Sequence, residues 1–495
     1  MHMRTMGLAV LIAVAHGAPL HSQIPLTEYA ARREALGRLT GDGAIVVLGS
    51  AEPVRDFDVF SQSPHLKYLT GWDAPDAALL VIRSGATQSA TLFVAEKNPA
   101  VEVWTGVRPS LPEAARMSGI PTRVIGEFTA TCDSLLAAGA PLRIVGEFTG
   151  DASTIGAART RDQVFMDALR ARHGEAKITD ATRAVLELRG RKSAAEIELL
   201  RGAIAITGRA HQEAMRMVTA GWNEFEVQAL IDYTFRRNGA DRNGFFTAAA
   251  SGDNTTTLHY SQNDRPIQQG ELLLLDIGAA FGGYSADVTR TIPVGGTFSP
   301  AQRAIYELVR RAQIAGERAV RIGAATNAPQ IAAADTIAHG LTALGLVESP
   351  TATYDCDIAA SQQCPQWRLY YMHGLSHGIG LDVHDPDLSY SGTYGAGSVV
   401  TIEPGVYVRR SMPNVLPDTP RNRALLKTLA PALARFAGIG VRIEDDYLLT
   451  SSGLEWLSKV PREVTEVEAA LKAPRAATPS VRDPEMVGRY RRSLP

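Results

Sequence analysis

The chain has 495 residues, more than one ordinary hydrophobic core holds, so its length predicts two domains. Hydrophobic residues make up 45% of the sequence and charged residues 21%, as in soluble globular proteins. The 50 basic and 52 acidic residues leave a formal net charge of -2, which excludes the basic excess typical of proteins that bind nucleic acids or anionic membranes.

The first residues have the pattern of a signal for export. Arg4 precedes a short apolar run, Met6 to Ala15, which is too short to cross a bilayer but suits a secretory signal peptide. Ala15-His16-Gly17 fits the small-x-small cleavage pattern best. We therefore predict a signal peptide over residues 1–22 and an exported protein, periplasmic or secreted. No later apolar stretch is long enough for a membrane span, so no membrane anchor is expected.

The cysteines are few. Cys132, Cys356 and Cys364 are too few for a zinc-thiolate site. The last two stand eight positions apart in a polar segment. A disulfide between them fits an oxidising compartment, and two ordinary thiols fit the sequence equally well.

Residues 23–180 alternate between apolar strand-like runs and helical stretches. The predicted strands are Ala44–Leu48, Ala77–Ile82, Ala90–Val94 and Leu142–Val145, and the predicted helices include Leu26–Leu39 and Phe165–Arg172. This alternation predicts a small α/β domain. Few candidate metal ligands cluster in it, so we assign it no chemistry of its own.

Residues 190–472 have a different pattern, in which long amphipathic helices begin at capping boxes. The boxes start at Ser193, Asn223 and Ser299, and Pro300 occupies a first helical position, where its missing N–H costs nothing. The strand-like runs that follow are Leu272–Asp276, Val288–Pro293, Val399–Glu403 and Val441–Leu449. Helices followed by mostly antiparallel strands predict an α+β domain. Residues 473–495 are rich in Arg, Pro and Ser and are predicted to be disordered.

Two carboxylates flank a predicted hairpin in this second domain. Asp276 ends the apolar run ELLLLD, where a carboxylate is costly unless it meets a cation. Asp287 follows eleven residues later, past the turn signal Gly282-Gly283. A strand, a glycine turn and a returning strand would place the two side by side. A bound metal ion would relieve their mutual repulsion.

Three further residues extend this pattern. Glu403 ends VVTIE, Glu444 lies in GVRIEDDYLLT, and His377 lies in YMHGLSHGIGLDVHD. Four carboxylates and one imidazole could share two divalent ions, and such an oxygen-rich set favours manganese, iron(II), cobalt or zinc over copper. Paired metal ions about 4 Å apart activate a bridging water and polarise a carbonyl, which is the chemistry of amide hydrolysis.

Each of these residues has an ordinary explanation when it is taken alone. Asp276 could be a turn residue, Glu403 could cap a turn, and Glu444 with Asp445 and Asp446 could form a solvated charged edge. The metal interpretation is favoured because several separate apolar runs each deliver a candidate ligand close to a glycine.

The motifs together resemble a known family. HY at 259–260, LLLLDIGAAFGGYSADVTRTIPVGGTFSPAQ, MHGLSHGIGLDVHD, TIEPGVY and GVRIEDD are similar to aminopeptidase P and prolidase of the methionine-aminopeptidase/creatinase superfamily. GWDAPDAALLVI, near position 71, resembles the amino-terminal domain of the same family. The resemblance implies a carboxy-terminal "pita-bread" catalytic domain of the α+β class, preceded by a smaller α/β domain.

The resemblance also implies roles for the candidate ligands. Asp276 is expected to chelate one ion, and Asp287 and Glu444 to bridge both. His377 and Glu403 are expected to bind the other ion, with Glu403 also acting as the proton shuttle.

A second set of residues resembles the groups around the family's metal site. His259, His373 and His384 are expected to contact the scissile carbonyl, the developing oxyanion and the proline side of the substrate. Arg442 would point the same way as Glu444 on a strand and help to line the proline pocket with Tyr407. For Tyr407 and His384, ordinary packing is the alternative.

We therefore predict an Xaa-Pro aminopeptidase that hydrolyses the first peptide bond through a metal-bridging hydroxide. The implied cofactors are two divalent ions, with Mn²⁺ expected and Zn²⁺ or Co²⁺ as alternatives. The implied partners are proline-containing peptides and further copies of the chain, as a dimer or tetramer. The alternative functions are prolidase, which cleaves dipeptides only, and a non-catalytic peptide-binding homologue.

Two segments of this chain resemble insertions into the family pattern. One lies between His339 and His373, and the other between Tyr407 and Gly438. Both flank predicted catalytic motifs, so we expect them to influence the preferred peptide length and the contacts between subunits.

Overall fold

The computed structural model describes residues 24–53, 60–148, 159–174, 178–386, 392–473 and 478. The predicted signal peptide over 1–22, and the predicted tail apart from residues 473 and 478, lie outside these ranges. Among the described residues, no helix is both long enough and apolar enough to span a bilayer.

The amino-terminal part is a small α/β domain, as predicted. Its strands are β1 (Gly43–Leu48), β2 (Ala78–Ser84), β3 (Thr87–Val94), β4 (Thr122–Val124), β5 (Leu142–Val145) and β6 (Ile178–Asp180). Its helices are α1 (Leu26–Thr40), α2 (Pro64–Thr70), α3 (Pro99–Thr105), α4 (Leu111–Ser118), α5 (Phe128–Ala137), α6 (Arg161–His173) and α7 (Thr182–Arg189). The strands form one mixed sheet in the order β4-β3-β2-β1-β5-β6. The apolar run of β1 is explained by its central place, where four of its six residues are buried.

The second domain combines long helices with small antiparallel sheets, which confirms the α+β prediction. Its helices are α8 (Ala194–Met217), α9 (Glu224–Arg237), α10 (Pro300–Ala319), α11 (Ala328–Ala343), α12 (Met412–Val415), α13 (Pro420–Phe436) and α14 (Val464–Lys472). Its strands are β7 (Arg242–Asn243), β8 (Ala248–Ser251), β9 (Leu272–Ile277), β10 (Ala279–Phe281), β11 (Tyr284–Ser285), β12 (Val288–Pro293), β13 (Thr353–Asp355), β14 (Gln363–Pro365), β15 (Val399–Ile402), β16 (Gly405–Val408), β17 (Ile439–Arg442), β18 (Asp445–Thr450) and β19 (Gly453–Trp456). All three predicted capping boxes are present, at Ser193, Asn223 and Ser299.

The predicted hairpin between the first two carboxylates is longer than one simple turn. β9 pairs antiparallel with β12, and Asp276 lies opposite Thr289. Between them, β10 and β11 form a second small hairpin whose turn is Gly282-Gly283. Both glycines adopt positive φ, 60° and 86°, a backbone region that other residues rarely enter.

The predicted strand Val441–Leu449 is two strands rather than one. β17 pairs with β16, whereas β18 pairs with β15 and β19, so the two halves belong to different sheets. Ile443 and Glu444 lie in the gap between them. The chain leaves one ladder before it enters the next, and this interruption positions the carboxylate of Glu444.

The two insertion-like segments pack on each other. β13 and β14 form a hairpin, and a disulfide joins Cys356 to Cys364, which decides between the two alternatives for these cysteines. Asp355 of the hairpin accepts a hydrogen bond from Thr419 Oγ1 at 2.6 Å, and its carbonyl accepts one from Asn422 Nδ2 at 2.9 Å. These contacts attach the hairpin to the start of α13.

Replacing both Cys356 and Cys364 by serine should lower the free energy of unfolding by about 2–3 kcal/mol. Without the disulfide the loop is open in the unfolded chain, which raises the conformational entropy of the unfolded state. Denaturant unfolding with and without a thiol reductant would measure this. Under reducing conditions the wild type should match the double variant, and equal stability under oxidising conditions would contradict the prediction.

Candidate active site

The hairpin of β9 and β12 brings Asp276 and Asp287 to one end of the three-stranded sheet β12-β9-β8, and Thr289 connects Asp276 to Glu444. The Thr289 hydroxyl lies 2.9 Å from Asp276 Oδ1 and 2.7 Å from Glu444 Oε2. Asp287 lies directly before β12 and Thr289 lies two positions later, within β12, so their side chains face the same side of the sheet. Three of the predicted carboxylates therefore lie together.

His377 supplies a nitrogen to this cluster. Its Nε2 lies 3.5 Å from Asp287 Oδ2, 3.5 Å from Glu403 Oε1 and 3.9 Å from Glu444 Oε1. Its Nδ1 is 2.9 Å from the carbonyl of Gly378. A proton on Nδ1 donated to that carbonyl leaves the lone pair of Nε2 directed at the carboxylates.

The donor atoms fit a cation. One ligand atom each of Asp287, His377 and Glu444 lies within 4.8 Å of the others. Asp287 Oδ1 and Glu444 Oε1 are buried and have no hydrogen-bond partner among the described residues. Because an unsatisfied buried carboxylate oxygen is costly, these two atoms are the expected signature of a metal site.

The electrostatics of the site agree with that interpretation. Burial, and then the neighbouring carboxylates, raise the pKa values of Asp287 and Glu444 well above their ordinary range. Burial raises the pKa of Glu403 to about 7, although His377 and Arg442 oppose the shift. Without a cation, the cluster holds its negative charge poorly.

Arg442 and Tyr407 form the wall beside the carboxylates. The Arg442 guanidinium pairs with Asp276, donates from Nε to Thr289 Oγ1 at 3.1 Å and donates from Nη1 to the Tyr407 hydroxyl at 3.0 Å. The same hydroxyl lies 2.9 Å from His373 Nε2. Tyr407 is fully buried, and its hydroxyl contacts both Arg442 and His373.

The three outer histidines surround the cluster. His373 Nδ1 lies 3.8 Å from Glu403 Oε2, and burial followed by Arg442 lowers its pKa to about 4. The His384 ring meets that of His377 edge-on, with 4.4 Å between centroids. His259 packs against Phe246, with 6.2 Å between ring centroids, and burial followed by His377 lowers the pKa of His384.

The acidic run that begins at Glu444 is not a solvated edge. Glu444, Asp445 and Asp446 are all buried. Asp445 pairs with the fully buried Arg290 at 2.6 Å, and Arg290 also donates to the Glu444 carbonyl at 2.7 Å. Asp446 Oδ2 accepts from the backbone N–H of Asp287 at 3.2 Å.

Sequence reasoning missed Thr289, Arg290 and Asp446. Thr289 has a signal that could have been used, because it lies two positions from Asp287 and shares its face of the strand. Arg290 and Asp446 contact their partners across more than 150 positions of sequence, and no local pattern announces such pairs.

Comparisons with known proteins follow the same division of the chain. Residues 198–451 match metallopeptidase family M24, and residues 29–143 match the aminopeptidase P N-terminal domain. The Xaa-Pro aminopeptidase of Haemophilus influenzae is 32% identical over 464 residues, which cover 90% of this chain and 97% of the relative. That of Escherichia coli is 31% identical, with 92% and 99% covered.

Solved structures give the same result. The aminopeptidase PepP of Pseudomonas aeruginosa superposes with a TM-score of 0.74 at 31% identity, covering 91% of this chain and 99% of that one. A zinc-substituted aminopeptidase P of Escherichia coli in complex with product superposes with a TM-score of 0.75 at 29% identity, covering 92% and 100%.

Proposed function

Because the chain belongs to metallopeptidase family M24, within its Xaa-Pro aminopeptidase branch, and is therefore a hydrolase, we propose that it removes the amino-terminal residue from peptides whose second residue is proline. The observation that carries this proposal is the convergence of Asp276, Asp287, His377, Glu403 and Glu444 around buried oxygens that have no partner among the described residues.

The charge of the site supports two divalent cations. Asp446 joins the four ligand carboxylates, and Arg442 is the cation among them. Three buried carboxylates, two partly buried ones and one guanidinium leave four formal negative charges, which two divalent ions would neutralise. Asp276 would hold one ion, His377 and Glu403 the other, and Asp287 and Glu444 would lie between them. The oxygen-rich donor set favours Mn²⁺, with Zn²⁺ and Co²⁺ as alternatives.

When bound, the two ions would activate a water molecule for attack and polarise the scissile carbonyl. The residues of the chain do the remaining work. Glu403 takes the proton of the attacking water and passes it to the departing proline nitrogen, a role suited to a carboxylate that lies 3.5 Å from His377 Nε2 within the ligand cluster. His259, His373 and His384 hydrogen-bond the substrate around the reacting carbonyl.

Proline is selected by the shape of the pocket, because the metal chemistry is the same for any peptide bond. Arg442, Tyr407 and His373 form one hydrogen-bonded wall beside the ligands. We propose that this wall contacts the proline side of the substrate, while the free amine lies near Asp276.

A cavity lies between the two domains, on the His377 and His384 side of the site. This cavity of about 910 Å³ borders His377 and His384 and extends to His65 and Phe148 of the amino-terminal domain.

A peptide series tests the proposed substrate class. The metal-loaded protein should release the first residue from Xaa-Pro-Xaa tripeptides and longer peptides, and should leave Xaa-Ala-Xaa peptides and amino-acetylated Xaa-Pro-Xaa peptides intact. Mass spectrometry of the products would show this. Cleavage confined to Xaa-Pro dipeptides would establish the prolidase alternative, and no cleavage of any member would refute the proposal.

We also propose that the protein is exported and forms a dimer or tetramer. The apolar segment after Arg4 supports export, and the Cys356–Cys364 disulfide fits an oxidising compartment. Amino-terminal sequencing of the protein from fractionated cells would test export, and light scattering would test the oligomeric state. A cytosolic protein that retains residues 1–22, or a monomer, would contradict the respective proposal.

A further inference from the structure

A group of charged side chains, three of them buried and one half-exposed, lies between the two domains, outside the metal-ligand cluster. We call Arg189, Lys192, Asp382 and Asp385 the interdomain ion cluster. Asp385 pairs with Arg189 through Oδ1 and with Lys192 Nζ through Oδ2 at 2.8 Å. Arg189 also donates to Asp382 Oδ2 at 2.6 Å. Two cations and two carboxylates make the cluster formally neutral, as a buried ionic group requires.

The cations come from the segment that joins the domains. Arg189 ends α7 and is 2% exposed, and Lys192 precedes α8 and is 5% exposed. The Lys192 ammonium also donates to the carbonyl of Arg189 at 2.6 Å, and its backbone N–H donates to the carbonyl of Gly397 at 3.0 Å. These contacts fix the ammonium and the backbone of Lys192 beside Asp385.

The amino-terminal domain fixes Arg189 from the other side. Nη1 of Arg189 lies 3.2 Å from Nδ1 of His65, which belongs to α2. Burial, and then Arg189 itself, lower the pKa of His65 to about 3. The imidazole is therefore neutral near pH 7, and its Nδ1 accepts the hydrogen bond from Arg189.

The carboxylate of Asp385 organises the loop between His377 and His384. The backbone N–H of Asp385 donates to the carbonyl of Gly378 at 2.9 Å, and this bond closes the loop directly after His384. Its Oδ1 also accepts from the N–H of Asp382 at 3.1 Å, inside the loop. A Cβ at Gly380 would lie 2.5 Å from the carboxylate, so the loop wraps closely around it.

We propose that Asp385 is a positioning residue for catalysis, because its buried pairing with Arg189 and Lys192 sets the His377–His384 loop and holds His384 against the reacting bond. The amino-terminal domain then acts on the reaction through His65 and Arg189. This inference rests on the proposed function, since it assigns His384 to the substrate and His377 to a metal ion.

Three variants test the cluster in the full-length protein. Asp385→Asn keeps the size of the side chain and an oxygen that can accept from the backbone N–H of Asp382, but it removes the negative charge. Lys192→Met removes one of the two cations that pair with Asp385. Glu455→Gln is the matched control, because Glu455 pairs with Arg201 of α8 at 2.8 Å in a half-exposed position away from the site. The kcat and KM of a tripeptide Xaa-Pro-Xaa would be measured together with metal content and thermal unfolding.

We expect kcat to fall about 10- to 100-fold in Asp385→Asn and Lys192→Met, with KM changed less, as for groups that orient functional residues. Glu455→Gln should keep both constants. Folded, metal-loaded variants of Asp385 and Lys192 with wild-type kcat would overturn the proposal. If Asp385→Asn does not fold, Lys192→Met decides by the same criteria.

A spectroscopic arm separates this proposal from the proposed function. In metal-free protein labelled with ¹⁵N-histidine, the ring signals of His377 and His384, assigned by single substitutions, should shift in Asp385→Asn and stay fixed in Glu455→Gln. Unchanged ring signals in Asp385→Asn would overturn the positioning role. A wild type without peptidase activity would refute the proposed function while this spectroscopic result still stands.

Discussion

Glu403→Gln should abolish turnover while the protein remains folded. The substitution preserves the size of the side chain and removes only its ability to take a proton and carry charge. We expect kcat to fall at least about 10³-fold, within the range that general acid–base groups contribute. Because burial already raises the pKa of Glu403 to about 7, a neutral amide should be tolerated there. Kinetics with the Xaa-Pro-Xaa tripeptide and thermal unfolding would measure both effects.

A control of the same chemistry is available on a surface helix. Glu307, in α10, is about half exposed and lies 3.9 Å from Arg303. Glu307→Gln should leave kcat, KM and stability unchanged, because an exposed ion pair of this kind contributes little. Wild-type turnover in Glu403→Gln would refute the proton-shuttle role.

Arg442→Met should have the second large effect, on stability as well as activity. Arg442 is 4% exposed and is the cation that faces Asp276, with further bonds to Thr289 and Tyr407. Removing one partner of a buried ion pair costs about 3–5 kcal/mol, because the remaining charge is uncompensated. We expect that loss in the metal-free protein and a smaller one when divalent ions supply the missing charge. Metal affinity or activity should fall about 10- to 100-fold.

Denaturant unfolding of the metal-free and Mn²⁺-loaded forms would separate these contributions. Arg410→Met is the control, because Arg410 pairs with Asp253 at 2.9 Å where both side chains are more than half exposed. That variant should change the free energy of unfolding by less than about 0.5 kcal/mol. Equal stabilities of Arg442→Met and wild type in the metal-free state would contradict the electrostatic role of Arg442.

The sequence predicted much of the fold because several of its signals are local. The capping boxes at Ser193, Asn223 and Ser299 begin three helices where a serine or asparagine meets Glu or Gln three positions later. The family, the enzyme class and the two-part architecture are confirmed by the matches over both regions of the chain. The roles of individual site residues, the export and the identity of the metal stay predictions.

Other features could not be predicted because they depend on distant contacts. α13 lies in a segment with several prolines, and Pro431 is inside the helix on an exposed face. A proline there contradicts the local rule for helix interiors, but the carbonyl that it leaves unpaired can be hydrated. The interdomain ion cluster joins Arg189 to Asp385 across 196 positions, and only the folded chain brings them together.

The strand break at Ile443 and Glu444 is a similar case. The run GVRIEDDYLLT is continuous in its apolar pattern, so it predicts one strand. The separate partners of β17 and β18 interrupt it, and tertiary pairing overrides local propensity at the residue that the site needs.

Equilibrium dialysis of the purified, metal-free protein against Mn²⁺, with peptidase activity followed on the same samples, is the most direct test of a two-ion centre. The account predicts saturation at two ions per chain and activity that rises only as they bind. Full peptide cleavage by the metal-free protein, or a failure to retain Mn²⁺, Zn²⁺ or Co²⁺, would contradict it.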